Sequence, residues 1–330
     1  MERRRLGRTG PHVSALGLGC MSISGSYGAA DEAETMRLFS RAIELGVDHF
    51  DTADIYGMGG SEELIGKFLK RERPKITLAS KGGIRYVRAT GERWIDNSPA
   101  YLRQALENSL LRLGRDHIEL YYVHRREADR PIEETIEALA ELIREGKIGG
   151  IGLSEVSPDT LRRAHRVHPI TAVQSEYSLW TRVPERGMLQ ACEELGVAFV
   201  AFSPLARGML TGVLPDPSSF SPRDFRRKNP RFAPGNFEKN RAAVAKFEAA
   251  ARAMQRSPAE LAIAWVLAQS ENIITIPGTR FPAHMDALAA GAQLKLSRAQ
   301  LDDIESAFPE GFPWGNRYAP SQALGVESYD

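Results

Sequence analysis

Apolar residues in this chain come in short unbroken runs, separated by longer stretches with a period near three to four residues. The runs lie near residues 15–19, 47–51, 76–80, 118–123, 148–153, 171–175, 197–202 and 273–277. They are mostly continuous rather than alternating, which predicts strands covered on both faces. Between the first two, Glu32 to Leu45 sets Met36, Phe39 and Ile43 on one helical face. The punctuation is regular. Gly46, Gly114, Gly146 and Gly196 each end a helical stretch just before an apolar run, as left-handed helix caps do. Ser98-Pro99, Ser157-Pro158 and Ser257-Pro258 each place a capping hydroxyl before a proline suited to a first turn. Ser257 with Glu260, and Ser297 with Gln300, have capping-box spacing.

Eight strands alternating with helices predict an α/β fold, a (β/α)8 TIM barrel, as one domain over residues 1–330. An open doubly wound sheet would show a glycine fingerprint after an early strand, and Gly17-Leu-Gly-Cys-Met-Ser stops one glycine short. Gly66-Lys67 would need a glycine at Ser61 to make a Walker motif. Two segments break the alternation early and late. Arg4 to Ser14, with Gly7 and the break Thr9-Gly10-Pro11, predicts an N-terminal hairpin. After strand seven comes a long loop insertion, Ala206 to Phe237, rich in Pro, Ser, Arg and Asn and placed to act as a lid over a cofactor. The tail, Phe312 to Asp330, is a further irregular segment expected to fold over the barrel mouth.

Composition narrows the class. The chain is 42% hydrophobic and 26% charged, and 43 basic residues against 42 acidic ones give no field to gather nucleic acid or anionic lipid. The arginine runs at Arg3 to Arg5, Arg125-Arg126 and Arg226 to Lys228 read as solvated faces. Cys20 and Cys192 stand far apart, so no disulfide framework and no metal site are expected. The apolar runs are too short to span a membrane, and no signal-peptide core follows Met-Glu-Arg-Arg-Arg. The expectation is a cytoplasmic protein, a monomer or a modest homo-oligomer, with a small-molecule partner.

The chemistry sits at strand ends. Asp51 closes the second run, with Tyr56 five residues on; Lys81 follows the third run and His124 the fourth. In barrels the working groups lie where strands give way to helices. Each residue alone has a plain reading, as a turn cap, a core cover, a solvated cation or a packing histidine. Together they fit one task. A free phenol has a pKa of about 10, too high for an efficient acid near neutrality, and a neighbouring ammonium held by a carboxylate lowers it. A histidine can donate to a carbonyl oxygen and orient it. With no nucleophile–base pair in view, hydride from a nicotinamide is the natural attack on carbon.

Phe50-Asp-Thr-Ala-Asp-Ile-Tyr-Gly, Ser80-Lys81, Val123-His124, Gly152-Leu-Ser-Glu-Val-Ser, Gln174-Ser-Glu-Tyr, Phe202-Ser-Pro-Leu and Ile276-Pro-Gly-Thr-Arg, in this order, resemble the aldo-keto reductases. The likeness is closest to the bacterial and plant branch with Gln174-Ser-Glu-Tyr-Ser-Leu-Trp180. It implies a (β/α)8 barrel using NADPH, with Tyr56 as general acid, tuned by Lys81 and Asp51, and His124 beside it. By the same resemblance, Ser154 and Gln174 hold the nicotinamide carboxamide and Phe202 stacks on the ring. Ser203, Pro204, Leu205 and Arg207 run along the pyrophosphate, and Gly278, Thr279, Arg280 and His284 meet the 2′-phosphate. Two departures stand out. Glu155 replaces a common asparagine, and Asp286, Ala287 and Leu288 replace the acid–acid–asparagine set of close relatives at the adenine. Met21, Tyr27, Ile55, Trp94, Trp180 and Trp314 are candidates for the substrate pocket, whereas Trp265 reads as core. Two other functions compete: a Schiff-base lyase or aldolase with Lys81 as nucleophile, and an NADPH-binding regulatory module with vestigial chemistry.

Overall fold

The computed structural model describes residues 1–330 except Arg88, Leu214, Pro215, Arg223, Glu310 and Asp330, so three positions of the insertion and the last of the tail lie outside the described residues. The chain begins with the expected hairpin, β1 (Arg3–Arg5) antiparallel to β2 (His12–Ser14). The barrel strands are β3 (Leu18–Gly19), β4 (His49–Asp51) and β5 (Thr77–Gly82). A second hairpin, β6 (Ile84–Tyr86) with β7 (Arg93–Ile95), interrupts them. The barrel then resumes with β8 (Leu120–Val123), β9 (Ile151–Ser154), β10 (Ala172–Glu176), β11 (Ala198–Phe202) and β12 (Ile273–Ile276). The eight lie parallel in the order β3-β4-β5-β8-β9-β10-β11-β12. Thr275 N donates to Ala15 O at 2.9 Å and Gly17 N to Thr275 O at 2.8 Å, which joins the last strand to the first. The hydrogen-bonded part of strand one is shorter than expected, but its register with β12 starts at Leu16.

Helices pack around the outside: α1 (Glu32–Glu44), α2 (Gly60–Glu72), α3 (Pro99–Leu113), α4 (Ile132–Arg144), α5 (Pro158–Val167), α6 (Met188–Leu195), α7 (Asn236–Ala253), α8 (Pro258–Ala268), α9 (Pro282–Gln293) and α10 (Arg298–Ser306). The sequence signals mark their ends. Ser98, Ser157 and Ser257 accept the amides of Tyr101, Thr160 and Glu260, and the boxes at Ser257/Glu260 and Ser297/Gln300 are closed on both sides. Gly114 and Gly196 are left-handed caps.

Two cores result. The larger fills the layer between sheet and helices, and includes Phe39, Phe50, Phe68, Tyr177, Phe199 and Trp265. The smaller occupies the barrel axis, where Ala79, Leu120, Tyr122, Ala172, Ala198, Val200 and Ile274 meet Leu6 and Val13 of the hairpin. Bulk along the axis is adjusted residue by residue: a Cβ on Gly152 would lie 2.2 Å from the Tyr122 ring, so only glycine fits there. The hairpin is a plug fixed by an ionic clasp. Arg4 is 7% exposed, not solvated as its run suggested; it donates to Leu267 O (2.9 Å), Ser270 O (2.7 Å) and Ile273 O (2.7 Å) and pairs with Glu2.

The insertion is a chain of short turns followed by α7 rather than a bare loop. It crosses the C-terminal face of the barrel: Phe225 N donates to Ser26 O in the loop after β3 (3.1 Å), and Asn229 Nδ2 donates to Arg317 O in the tail (2.7 Å). The tail lies against the same face. No helix is long and apolar enough to cross a membrane, and no cluster of potential metal ligands occurs, among the described residues.

The clasp gives a stability prediction. Arg4→Met would strip three buried carbonyls of a charged donor, at about 1.5–3 kcal/mol per such bond before water re-enters. A net loss of about 2–4 kcal/mol is expected. Urea unfolding followed by far-UV circular dichroism measures it, and an unchanged midpoint refutes the clasp.

Candidate active site

Each of the four ionisable residues leaves a neighbouring strand at its C-terminal end. Asp51 ends β4, Lys81 lies in β5 and His124 follows β8; Tyr56 starts the turn that leads into α2. Strand pairing puts Asp51 beside Ala79 and Lys81 beside Tyr122, so the acid and the amine rise into the mouth side by side. Lys81 has no exposed surface and Asp51 is 2% exposed. The ammonium binds Asp51 Oδ1, donates to Thr52 O at 2.8 Å, and stands 5.2 Å from the centre of the Tyr56 ring. The His124 ring meets Tyr56 edge-on, with centroids 5.7 Å apart. The structure thus brings all four together. It adds Gln174, whose Nε2 donates to the second Asp51 oxygen at 2.8 Å.

Electrostatics bear on Lys81, Tyr56 and His124. Burial disfavours the Lys81 cation, but Asp51 and Tyr56 outweigh it and the pKa rises above 10.5. Burial pushes the Tyr56 phenol above 10, and Lys81 offsets only part of that. The ammonium alone would lower the value, as the sequence suggests; desolvation of the phenolate is the larger effect here. His124 is pushed well below 6.5 by burial and then by the nearby cations Arg125, Lys81 and Arg93, so it is neutral at pH 7. Its Nδ1 is buried without a partner. The set can keep a phenol protonated, offer a cation to its phenolate and direct a neutral imidazole at an oxygen.

Around this centre the backbone is strained. Met58, Glu155, Ser203, Ala206 and Arg207 all have positive φ, between 51° and 59°, and all lie beyond strand ends at the mouth. Ser154 Oγ accepts from Arg125 at 3.2 Å, which leaves its own proton to donate. Phe202 is half-buried at the end of β11. Arg207 is turned toward Glu176 (2.7 Å) between the Phe225 and Tyr318 rings, and its Nη1 is buried without a partner. Further round, Thr279 Oγ1 lies 2.9 Å from His284 Nδ1 ahead of α9, and the half-buried Arg280 donates to Ala29 O at 2.6 Å. Strained amides, an orphaned guanidinium N–H and a cation beside a helix start suit a phosphate-bearing dinucleotide. At the adenine positions Asp286 is paired to Arg41 of α1, and Leu288 is in the core.

The substrate candidates divide. Met21, Tyr27, Ile55, Trp94 and Trp314 are half-buried around the mouth. Trp180 is 1% exposed, stacked among Phe232 of the insertion, Phe312 of the tail and Arg231, with no open face. Trp265 is core, as expected.

A buried ionic cluster went unread in the sequence. Glu176 meets Arg207 and Arg231 of the insertion (2.7 and 3.6 Å), and Glu155 meets Arg317 of the tail (2.5 Å). Burial raises Glu176, but the three guanidiniums bring it down to about 2. A lone acid closing the apolar strand at Gln174-Ser-Glu was the available signal. Asp54 was also passed over; burial and then Glu62 push it up to about 8, against Arg112.

The pattern of the Aldo/keto reductase family matches residues 15–308. The chain belongs to that family. Among its relatives are Probable aldo-keto reductase 1 of Glycine max, 43% identical over 95% of this chain and 91% of that one, and aldo-keto reductase yakc [NADP(+)] of Schizosaccharomyces pombe, 42% identical over 93% and 92%. The glycerol dehydrogenase of Gluconobacter oxydans superposes with a TM-score of 0.86 at 28% identity, covering 96% and 98% of the two chains. A holo-form aldo-keto reductase from Bacillus halodurans gives 0.77 at 31%, covering 94% and 97%. This aldo-keto reductase therefore belongs with enzymes of NAD(P)-dependent carbonyl chemistry and has their barrel.

The neutral imidazole predicts a pH effect on stability. With a folded-state pKa well below 6.5, His124 binds no proton at mildly acid pH while the unfolded chain does. Stability therefore falls as pH drops below about 6.5, by at most about 1.4 kcal/mol per unit from this one group. His124→Gln in this aldo-keto reductase should flatten the fall between pH 6.5 and 5 (chosen range, about one unit past the unfolded value). Parallel pH–stability curves for the two proteins count against the assignment.

Proposed function

We propose that this protein reduces aldehydes or ketones to alcohols with NADPH, and that Tyr56 gives the proton. The buried Asp51–Lys81–Tyr56–His124 contact set carries the reading. NADPH, when bound, supplies hydride to the carbonyl carbon. The chain does the rest. The Tyr56 hydroxyl donates its proton to the carbonyl oxygen, and the Lys81 ammonium receives the phenolate beside it, its own charge balanced by Asp51. Neutral His124 donates a ring N–H to the same oxygen and fixes its direction. Ser154 and Gln174 hold the carboxamide and Phe202 offers a ring face. Ser203, Pro204, Leu205 and Arg207 serve the pyrophosphate, and Gly278, Thr279, Arg280 and His284 the 2′-phosphate. The name of the Schizosaccharomyces pombe relative supports the choice of NADP.

A Schiff-base reading fits poorly. A lysine nucleophile must be neutral, and Lys81, with no exposed surface, is held charged by a carboxylate and a carbonyl.

Tyr56→Phe removes the proton and leaves the ring. Turnover should drop by about 10²–10⁴-fold while NADPH affinity, read by cofactor fluorescence, stays near wild type. Near-normal turnover removes Tyr56 from the mechanism. Because burial holds the Tyr56 phenol above the ordinary value, reduction by wild type should not decline between pH 6 and 9 (a range below even a free phenol's pKa of about 10).

Arg280 is half-buried and bonds a backbone carbonyl rather than an acid, so its loss removes an attraction without leaving a carboxylate unpaired. Arg280→Ala should weaken NADPH about 10- to 150-fold, as expected for charge-assisted hydrogen bonds of about 1.5–3 kcal/mol. NADH lacks the phosphate and should be nearly unaffected. Equal losses, or none, in the two dissociation constants take Arg280 away from the phosphate.

A further inference from the structure

The charges at the barrel mouth do not balance. Lys81 is matched by Asp51, Arg317 by Glu155, Arg126 by Glu327 and Arg226 by Asp224. Among the described residues, Glu176 alone pairs with both Arg207 and Arg231. Two further guanidiniums, Arg125 and Arg93, have no carboxylate partner among the described residues. Arg125 was expected on a solvated face and is 8% exposed. It donates from Nη1 to His124 O (2.6 Å) and Ser154 Oγ (3.2 Å), while its Nε is buried and unbonded. Arg93 sits on β7, beside Trp94, half-buried and also with a buried, unbonded Nε. Burial and then repulsion from Arg125 depress Arg93, and both guanidiniums add to the burial that disfavours a proton on His124. Arg125 also acts on the Tyr56 phenol. Neighbouring groups such as Tyr318, raised to about 12 by burial, bring no negative charge.

A buried cation without a counter-ion is expensive, and two that face each other are more so. Proteins keep such arrangements where a ligand brings the missing charge. We propose that the carbonyl substrate carries an oxygen anion, a carboxylate or a phosphate, held by Arg125 and Arg93 while its carbonyl lies between Tyr56 and His124. The inference rests on the reductase reading and adds the class of substrate. A guanidinium fork suits either anion, and the neighbourhood of Trp94 allows a short carbon spacer between the two ends. The hairpin β6–β7, inserted where the third barrel strand gives way to α3, is the element that delivers the second guanidinium.

The test uses matched pairs. With NADPH, kcat/KM is measured for 4-oxobutanoate against methyl 4-oxobutanoate, and for glyceraldehyde 3-phosphate against glyceraldehyde. Wild type should prefer the charged member of one pair by about tenfold or more, as charge-assisted hydrogen bonds warrant, and that pair identifies the anion. In Arg93→Met, the partly exposed position, the preference should fall toward unity, and Arg125→Lys should retain part of it. Wild type that treats both pairs alike, or a preference that survives Arg93→Met, overturns the inference. Binding is read separately, by calorimetry with succinate, inorganic phosphate and butane-1,4-diol in the presence of NADP⁺. If no aldehyde is turned over but succinate or phosphate binds in an Arg93-dependent way, the reductase reading fails and the anion site stands. If neither binds, the anion site fails. A loss confined to NADP⁺ affinity in both variants assigns the guanidiniums to the cofactor and likewise overturns it.

Discussion

A lysine ammonium with no exposed surface can persist in a barrel axis only if its charge is answered at contact distance. In this chain Asp51 answers Lys81, Thr52 O takes a second N–H, and Gln174 fixes the other Asp51 oxygen. That requirement explains the layout around it. Asp51 and Lys81 must leave adjacent parallel strands, Gln174 must reach across from β10, and the axis below must be filled by Tyr122 and small residues. The cation then does two things at once. It favours the Tyr56 phenolate, and it adds to the burial and the Arg125 charge that keep His124 neutral. Burial and this one pair act together on the phenol and the imidazole near the reacting carbonyl.

A second ionic arrangement closes the mouth. Glu176 and Glu155 end adjacent strand regions, and their arginine partners come from the insertion and from the tail. Aromatic contacts continue the closure, from Trp180 through Phe232 and Phe312. Two segments distant in sequence are thereby held to the barrel by contacts to its strand ends. The strained φ angles of Glu155, Ser203, Ala206 and Arg207 fall in the same band, where backbone must turn sharply between a strand and a covering loop. Arg125 and Arg93 lie at the inner edge of that cover, beside His124.

Much of this was legible because it is local. Helix ends depend on a residue and its neighbours three or four positions away, so Ser98, Ser157, Ser257, Gly114 and Gly196 announced them directly. Buried parallel strands need continuous apolar runs, and an ionisable residue ending such a run is a conspicuous break; Asp51, Lys81 and His124 were found that way. The hairpin β6–β7 was missed because Arg93–Ile95 is half-buried and carries no long apolar signal.

What the sequence could not decide was the sum of opposing long-range terms. It determined that a phenol and an ammonium would be near one another, but burial, a property of the finished packing, sets the direction in which Tyr56 moves. Arg4 and Arg125 looked like members of solvated runs, since charge alone does not say which side chain turns inward; carbonyls of β12 and its flanks, and Ser154 of β9, decide that from far along the chain. Trp180 looked like a pocket wall until Phe232 and Phe312, from segments with no periodicity to place them, closed over it. Local order was written in local chemistry. Which charges are buried, and against what, depended on contacts that exist only once the barrel has closed.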